Sequence, residues 1–232
     1  MPDNYLENLE QINVNLFRKY LLLWGSSHFR QFPWRTTREP YHILIAEILL
    51  HRTQAKQVEP VFVRFIQSYP DITSLARASR DELAKQLHSL GLHWRIELIQ
   101  MMAERLMDIA GGEVPEDTSI LISLPGVGPY IASSVRCFAF GHPDAIVDTN
   151  VMRVITRVFG ILFRDSLRRN KEFIAVTQEL VDRENPRSFN FALLDLAHEL
   201  CTVKNPKCNH CPINIYCDYY RSFFQNSNYR NY

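Results

Sequence analysis

Four clustered cysteines constrain this chain more than any other feature. Cys201, Cys208, Cys211 and Cys217 fall within 17 residues as C-x6-C-x2-C-x5-C, whereas Cys137 stands alone in an apolar segment. Clustered thiols in a chain without a secretory pattern are typical of metal ligands rather than disulfides. Thiolates suit both tetrahedral zinc and a [4Fe-4S] cluster, and ligand softness alone does not choose between them. The pattern therefore predicts a metal centre, and Cys137 is expected to pack in the core.

The composition favours a helical protein with a sizeable core. The chain has 232 residues, of which 46% are hydrophobic and 12% aromatic, enough for one or two domains. It contains no run of about 18 apolar residues, and its start, MPDNYLENLEQ, lacks the pattern of a signal peptide. We expect a soluble, cytoplasmic protein without a membrane partner.

Apolar residues recur at spacings of three and four, which indicates an all-α fold. A first helix is marked by Leu9, Ile12, Leu16, Tyr20 and Leu23. A second helix is expected to open with the apolar segment of residues 41–50, and further helices are expected over residues 57–68, 80–88, 95–110, 130–140 and 149–159.

A glycine-containing turn lies between two of these helices. The run Leu124-Pro125-Gly126-Val127-Gly128 precedes the helix expected from Tyr130. Two glycines two residues apart let the backbone approach a partner, and amides at the start of a helix can hold a phosphate without positive side chains. An ordinary turn between two helices is the alternative.

Glu47 is the only charged residue in the apolar segment from Tyr41 to Leu50. A carboxylate among aliphatic side chains must face a cleft or lose its hydration. Because residues 47, 51 and 54 would share one helical face, Glu47, His51 and Gln54 predict a polar stripe facing a cleft. A solvated stripe is the alternative.

The turn, the Val147-Asp148-Thr149-Asn150 segment and the cysteine loop occur in one order and closely resemble the helix-hairpin-helix DNA glycosylase superfamily. The likeness is to its iron-sulfur branch, which holds endonuclease III, the adenine glycosylase MutY and thymine mismatch glycosylases, and it spans about residues 16–220. It implies that the four cysteines ligate a [4Fe-4S] cluster. It also implies two helical domains flanking a DNA cleft: a six-helix barrel with the hairpin at residues 33–142, and an iron-sulfur domain from residues 1–32 and 143–232.

The resemblance implies roles for three residues. Asp148 would stabilise the sugar cation and activate water, although it also stands where a helix N-cap is expected. Glu47 matches the acid and base that MutY directs at the departing purine, and a glutamate with a less settled role in thymine glycosylases. Tyr130 stands where bifunctional relatives carry a Schiff-base lysine, so hydrolysis that leaves an abasic site is expected.

Several residues are expected to hold double-stranded DNA around a mismatched or damaged base. Arg52, with Thr53 beside it, would fill the space left by the flipped base, and His51 and Gln54 would line the base pocket. Asn150 would orient Asp148 or contact a phosphate, and Arg153 and Arg157 would either line the DNA backbone or solvate a helix face. The remaining expected contacts are Gly126, Val127, Gly128, Lys204 and Lys207.

The expected function is therefore a monomeric, monofunctional DNA glycosylase of base excision repair, associated with the nucleoid through DNA, that removes thymine, uracil or a related pyrimidine opposite guanine. Phe32 to Arg35 and Ile43 to Thr53 favour this substrate, as do the absence of paired tyrosines after Gly91 and the chain end 15 residues after Cys217. Gln54 and Val151 to Val154 favour adenine removal opposite guanine or 8-oxoguanine instead. The sequence also leaves open a non-catalytic DNA-binding or redox-sensing module and a zinc-stabilised regulator.

The charge balance argues against a bulk polycation. There are 26 basic and 25 acidic residues, giving a formal net charge of +1. Twenty of the basic residues are arginine, a side chain suited to bidentate phosphate contacts. We therefore expect a local basic face around Arg52, the hairpin and the cysteine loop.

Overall fold

The computed structural model describes residues 12–91 and 93–225, apart from the side chains of residues 93, 224 and 225. Within these ranges the chain forms helices and loops without a strand, which confirms the all-α prediction. Leu9, expected to mark the first helix, lies outside the described residues. None of the described helices combines the length and apolar character needed to cross a lipid bilayer.

The α-helices are numbered in chain order over the described residues. They are α1 (Val14–His28), α2 (Pro33–Thr36), α3 (Pro40–Leu50), α4 (Ala55–Ser68), α5 (Ile72–Ala76), α6 (Arg80–Leu87), α7 (His93–Ala110), α8 (Thr118–Ser123), α9 (Pro129–Val135), α10 (Thr149–Phe159), α11 (Lys171–Leu180), α12 (Pro186–Glu199) and α13 (Asp218–Tyr220). Short 3-10 turns occur at His88–Leu90, Asp165–Arg169, Cys208–His210 and Asn214–Tyr216, and π-helical turns at Arg136–Phe140 and Arg221–Gln225.

The chain divides into two compact units. The terminal unit lies within Met1–Arg30 and Pro143–Tyr232, and the central unit is Gln31–His142.

The core of the terminal unit is centred on α1, α10 and α12. Phe17 of α1, Ile155 of α10 and Phe189 of α12 are fully buried in one apolar cluster. Gly25 brings α1 close to α12, because a Cβ at this position would lie 2.5 Å from the Cβ of Ala192. Arg30 Nε donates to the buried Asp195 Oδ1 at 2.6 Å. These contacts join the N-terminal helix to the C-terminal part of the chain.

The core of the central unit is built around α3, which packs against α4 and α9. Leu44, Ile45 and Leu49 on α3 are fully buried. Cys137 is also fully buried, which confirms its expected place in the core. Pro40 begins α3, as suits a residue with a fixed φ and no amide hydrogen. The helix that carries Glu47 is thus held on several sides.

Candidate functional site

Glu47 lies in the middle of α3 and is only 5% exposed. The sequence suggested either a pocket carboxylate or one on a solvated stripe, and burial rules out the second. A buried carboxylate is costly unless its surroundings compensate its charge or keep it protonated. Glu47 is therefore a buried ionisable group in the central unit, as expected of a carboxyl in a functional site.

The loop after α3 corrects the predicted polar stripe. Helix α3 ends at Leu50, and His51 is the C-cap with φ −61° and ψ 114°. Arg52 has φ 62°, a left-handed conformation that is uncommon for a residue with a Cβ. His51 and Gln54 therefore do not continue the helical face of Glu47 but lie with Thr53 in the loop before α4. His51, Arg52 and Gln54 are exposed, and Thr53 is half-buried.

Arg95 binds this loop, and sequence reasoning missed it. The side chain belongs to the first turn of α7 and is only 4% exposed. Its Nη1 donates to the carbonyl of Ile48, and its Nη2 donates to the carbonyl of His51 at 2.6 Å and to His51 Nδ1. A guanidinium at carbonyls of the last turn is the favourable charge for a helix C-terminus. One signal in the sequence could have revealed it, because Arg95 is the lone charge on a helical face that is otherwise apolar. The other residues of this face are Ile99, Met102 and Leu106, and all four side chains are buried.

The hairpin turn forms between α8 and α9. The amide of Val127 donates to the carbonyl of Leu124 at 3.1 Å, and both side chains are buried. Gly126 adopts φ +80°, and a Cβ there would lie 3.3 Å from Leu98 Cβ. Gly128 is the N-cap of α9, and Tyr130 follows in its first turn, half-buried. The turn is thus anchored by apolar side chains, with its glycine backbone at the surface.

Asp148 caps α10 in the terminal unit. Its Oδ1 accepts from the Val151 amide at 2.7 Å, and its Oδ2 accepts from Asn150 Nδ2 at 2.8 Å. The capping role is therefore present. Because the residue is half-buried, its carboxylate is held in one orientation while part of it stays accessible.

Arg153 extends this hydrogen-bonded set toward the cysteines. Its Nη2 donates to Asn150 Oδ1 at 3.1 Å and to the Ala197 carbonyl at 2.9 Å, and its Nε donates to the Cys201 carbonyl at 2.8 Å. A continuous path of hydrogen bonds thus runs from Asp148 through Asn150 and Arg153 to Cys201. Neither role predicted for Arg153, a DNA backbone contact or a solvated face, describes these internal contacts.

Arg157, one turn later, contacts the cysteine loop. Its Nη1 donates to Cys201 Sγ at 3.3 Å and to the Thr202 carbonyl at 2.7 Å, and the guanidinium lies 4.9 Å from the ring centroid of Tyr219. The thiol of Cys217 donates to the Arg157 carbonyl at 3.4 Å. Like Arg153, Arg157 thus makes internal contacts that the sequence did not predict, and the DNA backbone contact expected of both residues stays a prediction.

The four clustered cysteines line one pocket of the terminal unit, together with Arg157, Leu200, Asn214, Tyr219 and Tyr220. Burial raises the pKa of Cys211 to about 12 and that of Cys217 to about 11, and repulsion from the neighbouring thiols adds to both shifts. A metal centre bound at these sulfurs must displace the thiol protons. Four thiols, with no carboxylate in the lining, form a donor set that fits a thiolate-ligated group. Among the described residues, no group of three or more His, Cys, Asp or Glu side chains is arranged to hold one metal ion.

Lys204 and Lys207 lie on the same loop and are exposed. Their ammonium groups form no ion pair within the described residues. Both lysines are therefore accessible cations, whereas the guanidinium of Arg157 on α10 donates to backbone carbonyls of this loop.

Comparison with known proteins places the chain in a family. Residues 45–178 match the family described as HhH-GPD superfamily base excision DNA repair protein. A thymine/uracil-DNA glycosylase of Methanothermobacter thermautotrophicus is 35% identical over 88% of this chain and 93% of its own length. One from Pyrobaculum aerophilum is 37% identical over 90% of this chain and 94% of its own. An adenine DNA glycosylase of Rattus norvegicus is 33% identical over 88% of this chain but only 42% of its own length.

Two solved structures have the same fold. A thermostable thymine-DNA glycosylase aligns with a TM-score of 0.85 and 34% identity, covering 90% of this chain and 97% of its own. Endonuclease III in a non-covalent DNA complex aligns with a TM-score of 0.75 and 25% identity, covering 91% and 98%. The hairpin turn, the capped aspartate and these likenesses define a base excision DNA repair protein. The chain belongs to the HhH-GPD superfamily.

Proposed function

We propose that this protein is a monofunctional DNA N-glycosylase that hydrolyses thymine or uracil from a position opposite guanine. The similarity to two thymine/uracil-DNA glycosylases over 88% and 90% of the chain carries the proposal. The substrate is double-stranded DNA, from which the enzyme must extrude the target base to reach its glycosidic bond.

Asp148 is the proposed catalytic carboxylate. Cleavage of an N-glycosidic bond develops positive charge on the sugar, and a fixed negative charge beside the anomeric carbon stabilises it. Hydrogen bonds from the Val151 amide and Asn150 hold both carboxylate oxygens before substrate arrives. This orientation supports Asp148 as stabiliser of the cation and as the group that positions the attacking water.

Glu47 and Tyr130 are the proposed catalytic groups of the central unit. The burial of Glu47 suits a carboxyl that exchanges a proton with the departing base. Tyr130 offers a phenol and no amine, so it cannot form a Schiff base with the opened sugar. Water is therefore the proposed nucleophile, and the product is an abasic site with an intact strand.

DNA is held, in this proposal, by backbone amides and a few cations. Gly126, Val127 and Gly128 would bind phosphate through N–H groups. Arg52, held in a left-handed conformation beside Thr53, would enter the space left by the extruded base. Lys204 and Lys207 would contact the backbone from the cysteine loop, while His51 and Gln54 would face the bases. We propose that the enzyme acts as a monomer.

A [4Fe-4S] cluster held by Cys201, Cys208, Cys211 and Cys217 is the proposed cofactor. When bound, it would supply a rigid cross-link for the loop rather than a reacting centre. The spacing of the four thiols and their shared pocket support this assignment. In this arrangement the two units correspond to an iron-sulfur domain and a helical domain with the hairpin.

Adenine removal opposite guanine or 8-oxoguanine is the second candidate. The similarity to the rat adenine DNA glycosylase favours it, although that match covers only 42% of the relative. The same catalytic residues could act on a purine, so a substrate comparison has to decide.

The deciding experiment is single-turnover excision from duplexes holding thymine, uracil or adenine opposite guanine, and adenine opposite 8-oxoguanine. We expect excision of thymine and uracil. Preferential loss of adenine would overturn the substrate assignment in favour of the second candidate.

A further inference from the structure

The contact between Arg95 and His51 determines where the imidazole carries its proton. A guanidinium can only donate hydrogen bonds, so the Nδ1 atom that Arg95 Nη2 contacts must be an acceptor. An imidazole that accepts at Nδ1 is neutral and carries its hydrogen on Nε2. Partial desolvation of the ring, followed by the positive charges of Arg95 and Arg52, lowers the pKa of His51, which agrees with a neutral ring.

The surroundings hold this ring in place. Arg95 binds the His51 carbonyl as well as its side chain, and no carboxylate within the described residues pairs with the guanidinium. The Arg95 guanidinium also lies 4.5 Å from the ring centroid of Trp94. The Trp94 ring meets His51 edge-on, at 6.4 Å and an interplanar angle of 75°. Arg95 Nη2 thus holds the imidazole at Nδ1 and the backbone at the His51 carbonyl, and the Trp94 ring lies beside the imidazole.

The donor that results has no partner among the residues that the structure describes. Within the described residues, no hydrogen bond reaches His51 Nε2, and the side chain is exposed. His51 lines an open pocket of the central unit together with Trp94, Pro125 and Gly126. The pocket is therefore bordered by the loop proposed to enter DNA and by the hairpin proposed to bind phosphate.

We infer that Arg95 locks His51 as the Nε2–H tautomer, and that this N–H is a specificity-determining donor to a hydrogen-bond acceptor on a base edge of the DNA. The inference rests on the proposed function and names the chemistry of one contact within it. Arg95 is a positioning residue, because it acts through His51. The acceptor belongs either to the extruded pyrimidine or to the guanine opposite, both of which present carbonyl oxygens.

The tautomer can be tested without DNA. Long-range ¹⁵N NMR of the histidine-labelled full-length protein distinguishes a protonated from an unprotonated ring nitrogen, and a His51→Leu sample assigns the His51 signals. We expect the proton on Nε2 in the wild type and a mixture of tautomers in Arg95→Lys, whose ammonium lacks the guanidinium fork. A wild-type ring with its proton on Nδ1 would overturn the inference, even for a fully active enzyme.

The base-edge contact is tested with two variants and two sets of substrates. His51→Gln keeps an N–H donor near the position of Nε2, whereas His51→Leu has none. Single-turnover excision of uracil opposite guanine should fall about 3- to 10-fold in His51→Leu, with at least partial recovery in His51→Gln. If the wild type excises no pyrimidine at all, the proposed function itself fails, and this outcome is distinct from failure of the His51 inference.

Substrate analogues identify the acceptor. One set replaces the guanine with 2-aminopurine or 7-deazaguanine, and the other replaces the uracil with 2-thiouracil or 4-thiouracil. The ratio of wild-type to His51→Leu rates should approach one only for the analogue that lacks the partner acceptor. An equal loss on every analogue would identify a contact away from these base edges, such as a phosphate oxygen, and overturn the base-edge inference.

Discussion

The two carboxylate oxygens of Asp148 make separate contacts, so its capping and catalytic roles can be separated. Asparagine retains an acceptor oxygen for the Val151 amide but removes the negative charge. We expect Asp148→Asn to change the free energy of unfolding by less than about 0.5 kcal/mol, and Asp148→Ala to lower it by about 1 kcal/mol. Urea denaturation of both variants measures the difference. Equal destabilisation by the two substitutions would show that the charge, rather than the acceptor, stabilises the start of α10.

At the residue scale, sequence reasoning was strongest where one charge interrupts an apolar pattern. Glu47 was found in this way, and its burial agrees with the cleft interpretation rather than with the solvated one. Arg95 carries the same signal, but an arginine at the start of a helix does not by itself reveal what it binds. Its partners, the carbonyls of Ile48 and His51, are more than 40 residues away in the chain, and local patterns contain no information about such contacts.

At the scale of elements, the hairpin turn depends on the left-handed conformation of Gly126. Gly126→Ala should lower the free energy of unfolding by about 1–2 kcal/mol, because an alanine is strained at φ +80° and its Cβ would press on Leu98. It should also weaken binding to abasic-site DNA, since the turn must shift. Denaturation and fluorescence anisotropy measure the two effects.

Gly128→Ala is the matched control for this turn. Gly128 has φ −94°, and a Cβ there would have no neighbour within 4 Å. We expect a smaller loss of stability, about 0.5 kcal/mol, because alanine is a poorer N-cap than glycine but is not strained at this φ. Similar destabilisation by both substitutions would show that backbone conformation does not explain the glycine at position 126.

Helices with strong apolar periodicity were predicted to within a few residues, as the observed α4, α6, α7 and α10 illustrate. The end of α3, by contrast, was not predicted. Residues 51–54 contain no glycine or proline, yet the helix ends at Leu50 and Arg52 turns left-handed. The carbonyls of this last turn are bound by Arg95, so a tertiary contact accompanies the ending that local sequence did not signal.

At the scale of the whole molecule, the number of arginines is larger than the number of guanidinium groups that remain available for DNA. Arg95, Arg153 and Arg157 donate to backbone carbonyls of their own unit. Composition recorded their charge but not these internal partners. The net charge of +1 still argues against binding by bulk charge alone, which agrees with a proposal that relies on hairpin amides and a few lysines.

The cysteine pocket predicts how the two units respond to loss of the cofactor. Chelation or oxidative loss of the cluster should abolish its visible absorbance and increase amide hydrogen exchange within residues 201–217, because the loop then loses its cross-link. Exchange in α3 and α4 of the central unit should change little. Hydrogen exchange with mass spectrometry measures both regions. A protein that is purified colourless and contains zinc would contradict the cluster assignment.

The most direct test of the proposed chemistry is single-turnover cleavage of a uracil–guanine duplex by the wild type and by Asp148→Asn, analysed with and without alkali and after borohydride. The wild type should give breaks only after alkali and no trapped protein–DNA adduct. The Asp148→Asn rate should be about 10²- to 10³-fold lower, as expected for loss of one electrostatic stabiliser. Breaks without alkali, a borohydride adduct, or an Asp148→Asn rate equal to the wild type would contradict hydrolysis directed by Asp148.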